Sequence, residues 1–164
     1  MTKPVINLAD VTLREMGNGQ GFAAKVGSFG TAIGSTGIGC MLHVVEPGQK
    51  AFPCHAHHQS HELFVILDGK GTYRFGDAEY PIRTGDVCAA PTGGQEVAHQ
   101  TINTGSTVLK YLGLSTEADT EVAEHPDSGE IAVMSRFDWS TMSGGVRHTF
   151  HSGDPARDYF EGER

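Results

Sequence analysis

The sequence predicts an all-β fold, a barrel or a sandwich built from short strands. Its 164 residues include 22 glycines and seven prolines, and glycine is nearly twice as frequent as its average of ~7%. Segments of β-prone residues recur about every ten residues between turn signals, which is the spacing of barrels and sandwiches. Before residue 115 no segment has a sustained helical period. A chain of this length fits one domain with its own core.

The predicted strands follow one another between residues 38 and 114. They are Ile38–Glu46, Glu62–Asp68, Thr72–Phe75, Glu79–Ile82, Val87–Ala90, Val97–Asn103 and Thr107–Leu114. The Gly76-Asp77 pair between two of these strands indicates a β-hairpin. If Glu62 faces the interior, the alternation of a strand predicts that Phe64 and Ile66 face it too.

Composition divides the chain into three stretches. Residues 1–35 form a glycine-rich segment that we expect to pack on the barrel, and residues 36–115 hold the strand-rich core. Residues 116–164 form a partly irregular extension with few aliphatic side chains. Residues 115–164 carry 4 Lys and Arg against 11 Asp and Glu. We expect this acidic extension to pack on the barrel or on a partner subunit, because it has too little apolar surface to fold alone.

Charge and hydropathy exclude several classes of protein. No basic stripe is present to neutralise phosphates, so we expect neither nucleic-acid binding nor attraction to anionic membranes. The longest apolar run, Leu63–Leu67, is far shorter than the ~20 residues of a membrane span. The first 19 residues do not resemble a secretory signal. Three cysteines do not make a disulfide framework, so we expect a reduced, cytoplasmic protein.

A histidine cluster is the strongest chemical signal. Four of the nine histidines fall between His55 and His61. On a strand, His55 and His57 present both imidazoles to one face. A tight turn after them would bring Glu62 onto a neighbouring strand about 5 Å away. Imidazole and carboxylate groups suit a divalent ion such as Zn, Mn, Fe, Ni or Co.

The residues around this cluster resemble the two motifs of the cupin superfamily. The first motif is matched by Gly48, His55, His57, Glu62 and Gly69, and the second by Gly85, Pro91, Gly93, His99 and Asn103. With their flanking strands, the motifs cover about residues 36–115. Gly48 lies one residue further from the histidines than is commonest. Five residues, where two are usual, separate Gly93 from His99, which lengthens a loop near the expected mouth of the site.

The resemblance implies a double-stranded β-helix, or jelly-roll barrel, with a divalent metal ion inside it. It also implies that the ligands are His55, His57, Glu62 and His99. Some cupins keep this motif and serve only as binding or structural barrels. For the neighbouring polar residues we expect ordinary structural roles. These are a solvated turn for His58 and His61, burial as small apolar groups for Cys54 and Cys88, packing for His43 and an exposed loop position for Glu96.

The whole chain is similar to short single-domain bacterial cupins described as sugar-phosphate-isomerase-like. The resemblance rests on the Pro126–Gly129 turn and on the acidic string Asp158–Glu163. It implies a small-molecule substrate in which a proton moves between adjacent carbons at the metal. Short cupins often pair through edge strands, so it also implies a homodimer.

The cations that could hold a substrate phosphate are Arg74, Arg83 and Lys110. Alternation leaves two possibilities on the last predicted strand: Lys110 faces the lumen with Val108 and Leu112, or Leu109 and Tyr111 do. Inward cations would favour the isomerase. A dry aromatic lumen would favour the alternative of an Fe- or Ni-dependent dioxygenase, and a site without a base would favour a non-catalytic small-molecule-binding barrel.

Overall fold

The computed structural model describes residues 3–138 and 143–163 and confirms the all-β class. Within them lie thirteen strands: β1 Arg14–Gly17, β2 Ala23–Ser28, β3 Ile38–Val45, β4 Ala56–His57, β5 Glu62–Asp68, β6 Lys70–Phe75, β7 Ala78–Arg83, β8 Val87–Ala90, β9 His99–Ile102, β10 Leu109–Thr116, β11 Thr120–His125, β12 Glu130–Ser135 and β13 Val146–His151. The helical segments are three 3-10 turns, Leu8–Asp10, Thr31–Ile33 and Gln95–Val97. No helix among the described residues has the length and apolarity needed to cross a membrane.

The strands form a double-stranded β-helix. One sheet has six strands in the order β1-β2-β3-β10-β5-β8, and two others have the orders β7-β6-β9 and β13-β12-β11-β4. The two smaller sheets meet at an isolated antiparallel bridge between His55 and His99. The main core cluster lies between the six-stranded sheet and the β7-β6-β9 sheet. It includes Ile66 of β5, Tyr73 of β6 and Tyr111 of β10.

The alternation on β5 sets the inner wall of the barrel. Phe64 and Ile66 are buried, as the sequence predicts, and Glu62 is half-buried on the same face. Leu63, on the outer face, is 45% exposed. The outer face of this strand is therefore only partly covered.

The strand predicted at Val97–Asn103 is shorter in the structure, because the long loop between Gly93 and His99 takes up its first residues. Residues Gln95–Val97 form a 3-10 turn, so β9 begins at His99 and ends at Ile102. Asn103 lies just beyond the strand and is fully buried. Its side-chain amide donates to the carbonyls of Val45 (2.7 Å) and Thr107 (2.9 Å). Asn103 therefore ties the end of β3 to the loop before β10.

The acidic extension continues the sheet that holds the histidine cluster. β11 pairs antiparallel with β4, with Ala123 opposite His57 and Glu124 opposite Ala56. β12 and β13 extend this sheet outward, and residues 152–163 contain turns but no strand. The extension packs on the barrel of its own chain, beside the predicted metal ligands.

Candidate metal centre

Three short elements bring the predicted ligands together. His55 and His57 lie at β4, Glu62 begins β5 and His99 begins β9. The backbones of His55 and His99 exchange two hydrogen bonds, of 3.1 and 2.8 Å. This exchange fixes the two imidazoles next to one another, with ring centroids 4.7 Å apart.

One carboxylate oxygen lies at the centre of the imidazoles. Oε2 of Glu62 is 3.0 Å from Nε2 of His99, 3.5 Å from Nε2 of His57 and 3.9 Å from Nε2 of His55. The ligand atoms of His55, Glu62 and His99 all lie within 4.8 Å of one another. His57 lies at the side of this compact group, in contact with Glu62.

The protonation states of the group suit a cation. Burial opposes ionisation of Glu62, but the hydrogen bond from His99 and the neighbouring imidazoles lower its pKa to about 2. Burial, followed by the nearby rings of His99 and His57, lowers the pKa of His55 to about 3. An ionised carboxylate and a neutral imidazole are the forms that bind a metal ion.

The hydrogen bond of the His55 ring also fits ligation through Nε2. Nδ1 of His55 lies 2.8 Å from the carbonyl of Pro53. Since a carbonyl only accepts, Nδ1 carries the proton and Nε2 keeps its lone pair facing the group. Nδ1 of His57 and Nδ1 of His99 are buried and make no hydrogen bond.

Glu121, which no sequence pattern singles out, lies beside this group on β11. Glu121 is buried, and its carboxylate accepts hydrogen bonds from the backbone of the loop between His57 and Glu62. Burial opposes its ionisation, but contact with His57 and the N–H groups of Ser60 and Gln59 lower its pKa to about 2. The same contact helps to raise the pKa of His57 against the effect of burial. In the sequence, Glu121 is one of many acidic residues of the extension.

His43 lies in the barrel lumen. It is buried and stacked on Tyr111, and its Nδ1 makes no hydrogen bond. Burial lowers its pKa to about 4, although the charge of Glu62 acts in the opposite direction. The expectation that His43 is packed is confirmed, but it packs inside the barrel, near the predicted ligands.

The three candidate cations lie away from the lumen. Arg74 donates to Asp127 at 2.8 Å, which joins β6 to the Pro126–Gly129 turn. Arg83 and Lys110 are exposed, and Leu109 and Tyr111 are the inward pair on β10. Of the alternatives left open by the sequence, inward orientation of Lys110 is therefore wrong.

The other polar residues behave as predicted. Cys54 and Cys88 are buried, whereas His61 and Glu96 are exposed. His58 is also exposed, and its Nε2 lies 2.7 Å from Oε1 of Glu124.

Comparison with known sequences finds a family profile that matches the central strands. Residues 41–115 match the profile of the cupin domain. An oxalate-binding protein of Thermotoga maritima is 35% identical over 60 residues, which cover 37% of this chain and 47% of that protein. An uncharacterized protein of Methanocaldococcus jannaschii is 29% identical over 85 residues, or 49% of this chain and 65% of that one. The chain thus spans about half the length of the first relative and less than two thirds of the second.

Solved structures extend the likeness to the whole fold. A protein of Acidithiobacillus ferrooxidans, provisionally named a sugar phosphate isomerase, superposes with a TM-score of 0.81 and 23% identity, covering 94% of this chain and 96% of its own. A cupin-superfamily sugar phosphate isomerase of Silicibacter pomeroyi gives 0.75 and 23%, covering 94% and 97%. A predicted oxalate decarboxylase of Thermotoga maritima gives 0.60 and 24%, covering 70% and 99%. At these identities, the likeness shows the fold alone.

Proposed function

Because residues 41–115 form a cupin domain, we propose that the protein holds a divalent metal ion through His55, His57, Glu62 and His99 and acts on a small molecule bound there. The observation that carries the proposal is the convergence of three imidazole Nε2 atoms on one oxygen of Glu62. Zn, Mn, Fe, Ni and Co all accept such ligands. When bound, the ion supplies a Lewis acid that polarises an oxygen atom of the ligand.

The chain itself supplies a largely apolar wall and a polar group that has no partner. Phe64 lies 5.4 Å from His99, and Tyr73 lies 6.2 Å from it, measured between ring centroids. These rings shield the ion-binding group from water on the lumen side. Nδ1 of His43 is buried without a hydrogen bond, so it is available to a small molecule in the lumen, as donor or acceptor according to the tautomer.

We propose that the reaction is a proton transfer between adjacent carbons of a hydroxycarbonyl compound, as in a sugar phosphate isomerase. The two solved structures named for this activity superpose over 94% of the chain, extension included. Since Arg74 is paired with Asp127, and Arg83 and Lys110 are exposed, none of these residues provides a phosphate grip in the lumen. The substrate therefore binds through its carbonyl and hydroxyl oxygens, and any phosphate it carries lies outside the barrel.

The second candidate is an Fe- or Ni-dependent dioxygenase. The aromatic wall of the lumen favours it, because Phe64 contacts both Tyr73 and Tyr111, with ring centroids 6.0 and 5.9 Å apart. An apolar lining of this kind suits a small apolar substrate better than a sugar.

Elemental analysis of the untagged protein tests the metal site. We expect about one divalent ion per chain in the wild type, and loss of the ion in His57→Ala and Glu62→Ala. His61→Ala is the matched control, since this histidine lies in the same cluster but is exposed. The absence of metal from the wild type, even after anaerobic reconstitution, would overturn the proposal. Equal metal in all four proteins would overturn the ligand assignment.

The reaction is tested with the metal-loaded protein and a panel of aldoses, ketoses and their phosphates. An isomerase interconverts one pair with or without oxygen, whereas a dioxygenase consumes oxygen in proportion to product. Saturable binding of a ligand without turnover in either atmosphere would contradict both reactions and leave a binding protein. Oxalate belongs in that binding assay because one relative is named for binding it.

A further inference from the structure

The register of β11 brings residues of the extension onto the face that carries the predicted ligands. Ala123 lies directly opposite His57, and directly opposed residues of an antiparallel pair point to the same side of the sheet. Because side chains alternate along a strand, Glu121 and His125 share this side with Ala123. The ring of His125 lies 5.9 Å from that of His55, which agrees with this placement.

The carboxylate of Glu121 holds the loop that joins two predicted ligands. Its Oε1 accepts from the N–H groups of His58 and Gln59 at 2.9 and 3.0 Å, and its Oε2 accepts from the N–H of Ser60 at 2.8 Å. This loop connects His57 to Glu62, and Glu121 as a whole residue is 6% exposed. The extension therefore sets the path of the chain between two ligands.

The ring of His57 lies between two carboxylates. Its Nε2 is 3.5 Å from Oε2 of Glu62, and its Nδ1 is 3.5 Å from Oε2 of Glu121. The second distance is longer than a well-formed hydrogen bond, and Nδ1 is buried without any other polar partner. A small rotation of the ring would make Glu121 the acceptor for a proton on Nδ1.

We propose that Glu121 is a positioning residue of the metal centre, which keeps the proton of His57 on Nδ1 and so directs the Nε2 lone pair towards Glu62. This inference rests on the proposed role of His57 as a ligand. An imidazole ligand is commonly oriented by a carboxylate on its second nitrogen, and losing such a partner typically costs 10–100-fold in metal affinity.

Glu121→Gln tests the carboxylate with little change of shape. The glutamine keeps one oxygen for His58 and Gln59, but an amide NH₂ replaces the oxygen that faces Nδ1 and that accepts from the N–H of Ser60. A donor at that place favours the tautomer with the proton on Nε2, which cannot ligate. Glu124→Gln is the matched control, because Glu124 is a carboxylate on the same strand, bonded to the exposed His58.

The readouts are Zn(II) and Co(II) affinity by chelator competition, the ligand-field spectrum of bound Co(II), and the histidine ¹⁵N spectrum of the metal-free protein. We expect Glu121→Gln to bind about 10–100-fold more weakly, with an altered Co(II) spectrum and a changed His57 tautomer. The metal affinity of Glu124→Gln should stay within about twofold of that of the wild type. Urea unfolding of each variant separates a fold defect from a site defect.

The outcomes separate this inference from the proposed function. Failure of the wild type to bind either metal would overturn the metal site itself. Tight wild-type binding with an unchanged affinity and tautomer in Glu121→Gln would overturn the role of Glu121 alone. The ¹⁵N spectrum of the unsubstituted protein decides the inference even if the variant fails to fold, since a neutral His57 with its proton on Nε2 would contradict it.

Discussion

The imidazole of His43 is stacked on the ring of Tyr111, with ring centroids 4.4 Å apart and planes inclined by 6°. The two residues face one another across the β3–β10 pairing. A glycine makes room for the stack, because a Cβ on Gly113 would lie 2.9 Å from Cε1 of His43. The rings in the lumen beneath the predicted ligands are therefore closely packed, and the absence of a side chain at Gly113 allows His43 its position.

Gly113→Ala should displace His43 and destabilise the protein by about 1–3 kcal/mol, the usual cost of overpacking a core. Urea unfolding of Gly113→Ala, His43→Ala and the double variant measures the coupling. The cost of Gly113→Ala should fall when His43 is truncated, because the added methyl then has space. Additive costs in the two backgrounds would contradict the predicted clash.

Asn103→Ala should destabilise the protein by about 2–4 kcal/mol, because it leaves one buried and one part-buried carbonyl without donors. The lost partners are the carbonyls of Val45 and Thr107. Ser106→Ala, at an exposed position of the same loop, should change stability by less than about 0.5 kcal/mol. Chemical denaturation provides both values. A cost for Asn103→Ala as small as that of the control would show that water replaces the lost donors.

Local patterns predict much of this architecture. The alternation at Glu62, Phe64 and Ile66 identifies the inner face of β5, since one side chain fixes the side of all the others. The His-x-His pattern places His55 and His57 on one short strand, and the motif resemblance adds His99. These features can be predicted because each depends on residues close in sequence or on a known order of motifs.

Long-range register is what the sequence leaves undetermined. Glu121 lies beside His57 only because β11 pairs with β4, more than sixty residues earlier, and no local pattern encodes that pairing. For a related reason, the sequence does not determine which face of β10 carries Lys110. Apolar residues occupy both faces of β10, so alternation alone does not distinguish them. The pairing with β5 also shifts in register between Lys110 and Tyr111, and Tyr111 is the inward residue.

Arg74→Gln should leave metal content and the binding of inorganic phosphate unchanged. The guanidinium is engaged by Asp127 outside the lumen, and the two side chains are 31% and 52% exposed. An exposed pair of this kind contributes about 0–1 kcal/mol, so stability should fall by no more than that. Isothermal titration with phosphate and thermal unfolding check the two expectations. Weaker phosphate binding in Arg74→Gln would contradict this prediction and indicate that Arg74 contacts the substrate.

The cysteines should differ in their reaction with iodoacetamide. Burial, with a contribution from Asp86, raises the pKa of Cys88 to about 11, so little reactive thiolate is present near neutral pH. Burial also raises the pKa of Cys40 and of Cys54, but Cys40 is only half-buried. Peptide mapping by mass spectrometry at pH 7.5 should therefore find Cys40 alkylated first.

The rate of alkylation of Cys88 should rise as the pH increases to about 11, because the thiolate fraction grows as the pH approaches the raised pKa. In denaturant, burial no longer raises any of the three pKa values, so all three thiols should react at similar rates. Alkylation of Cys88 as fast as that of Cys40 in the native protein at pH 7.5 would contradict its burial in the barrel core.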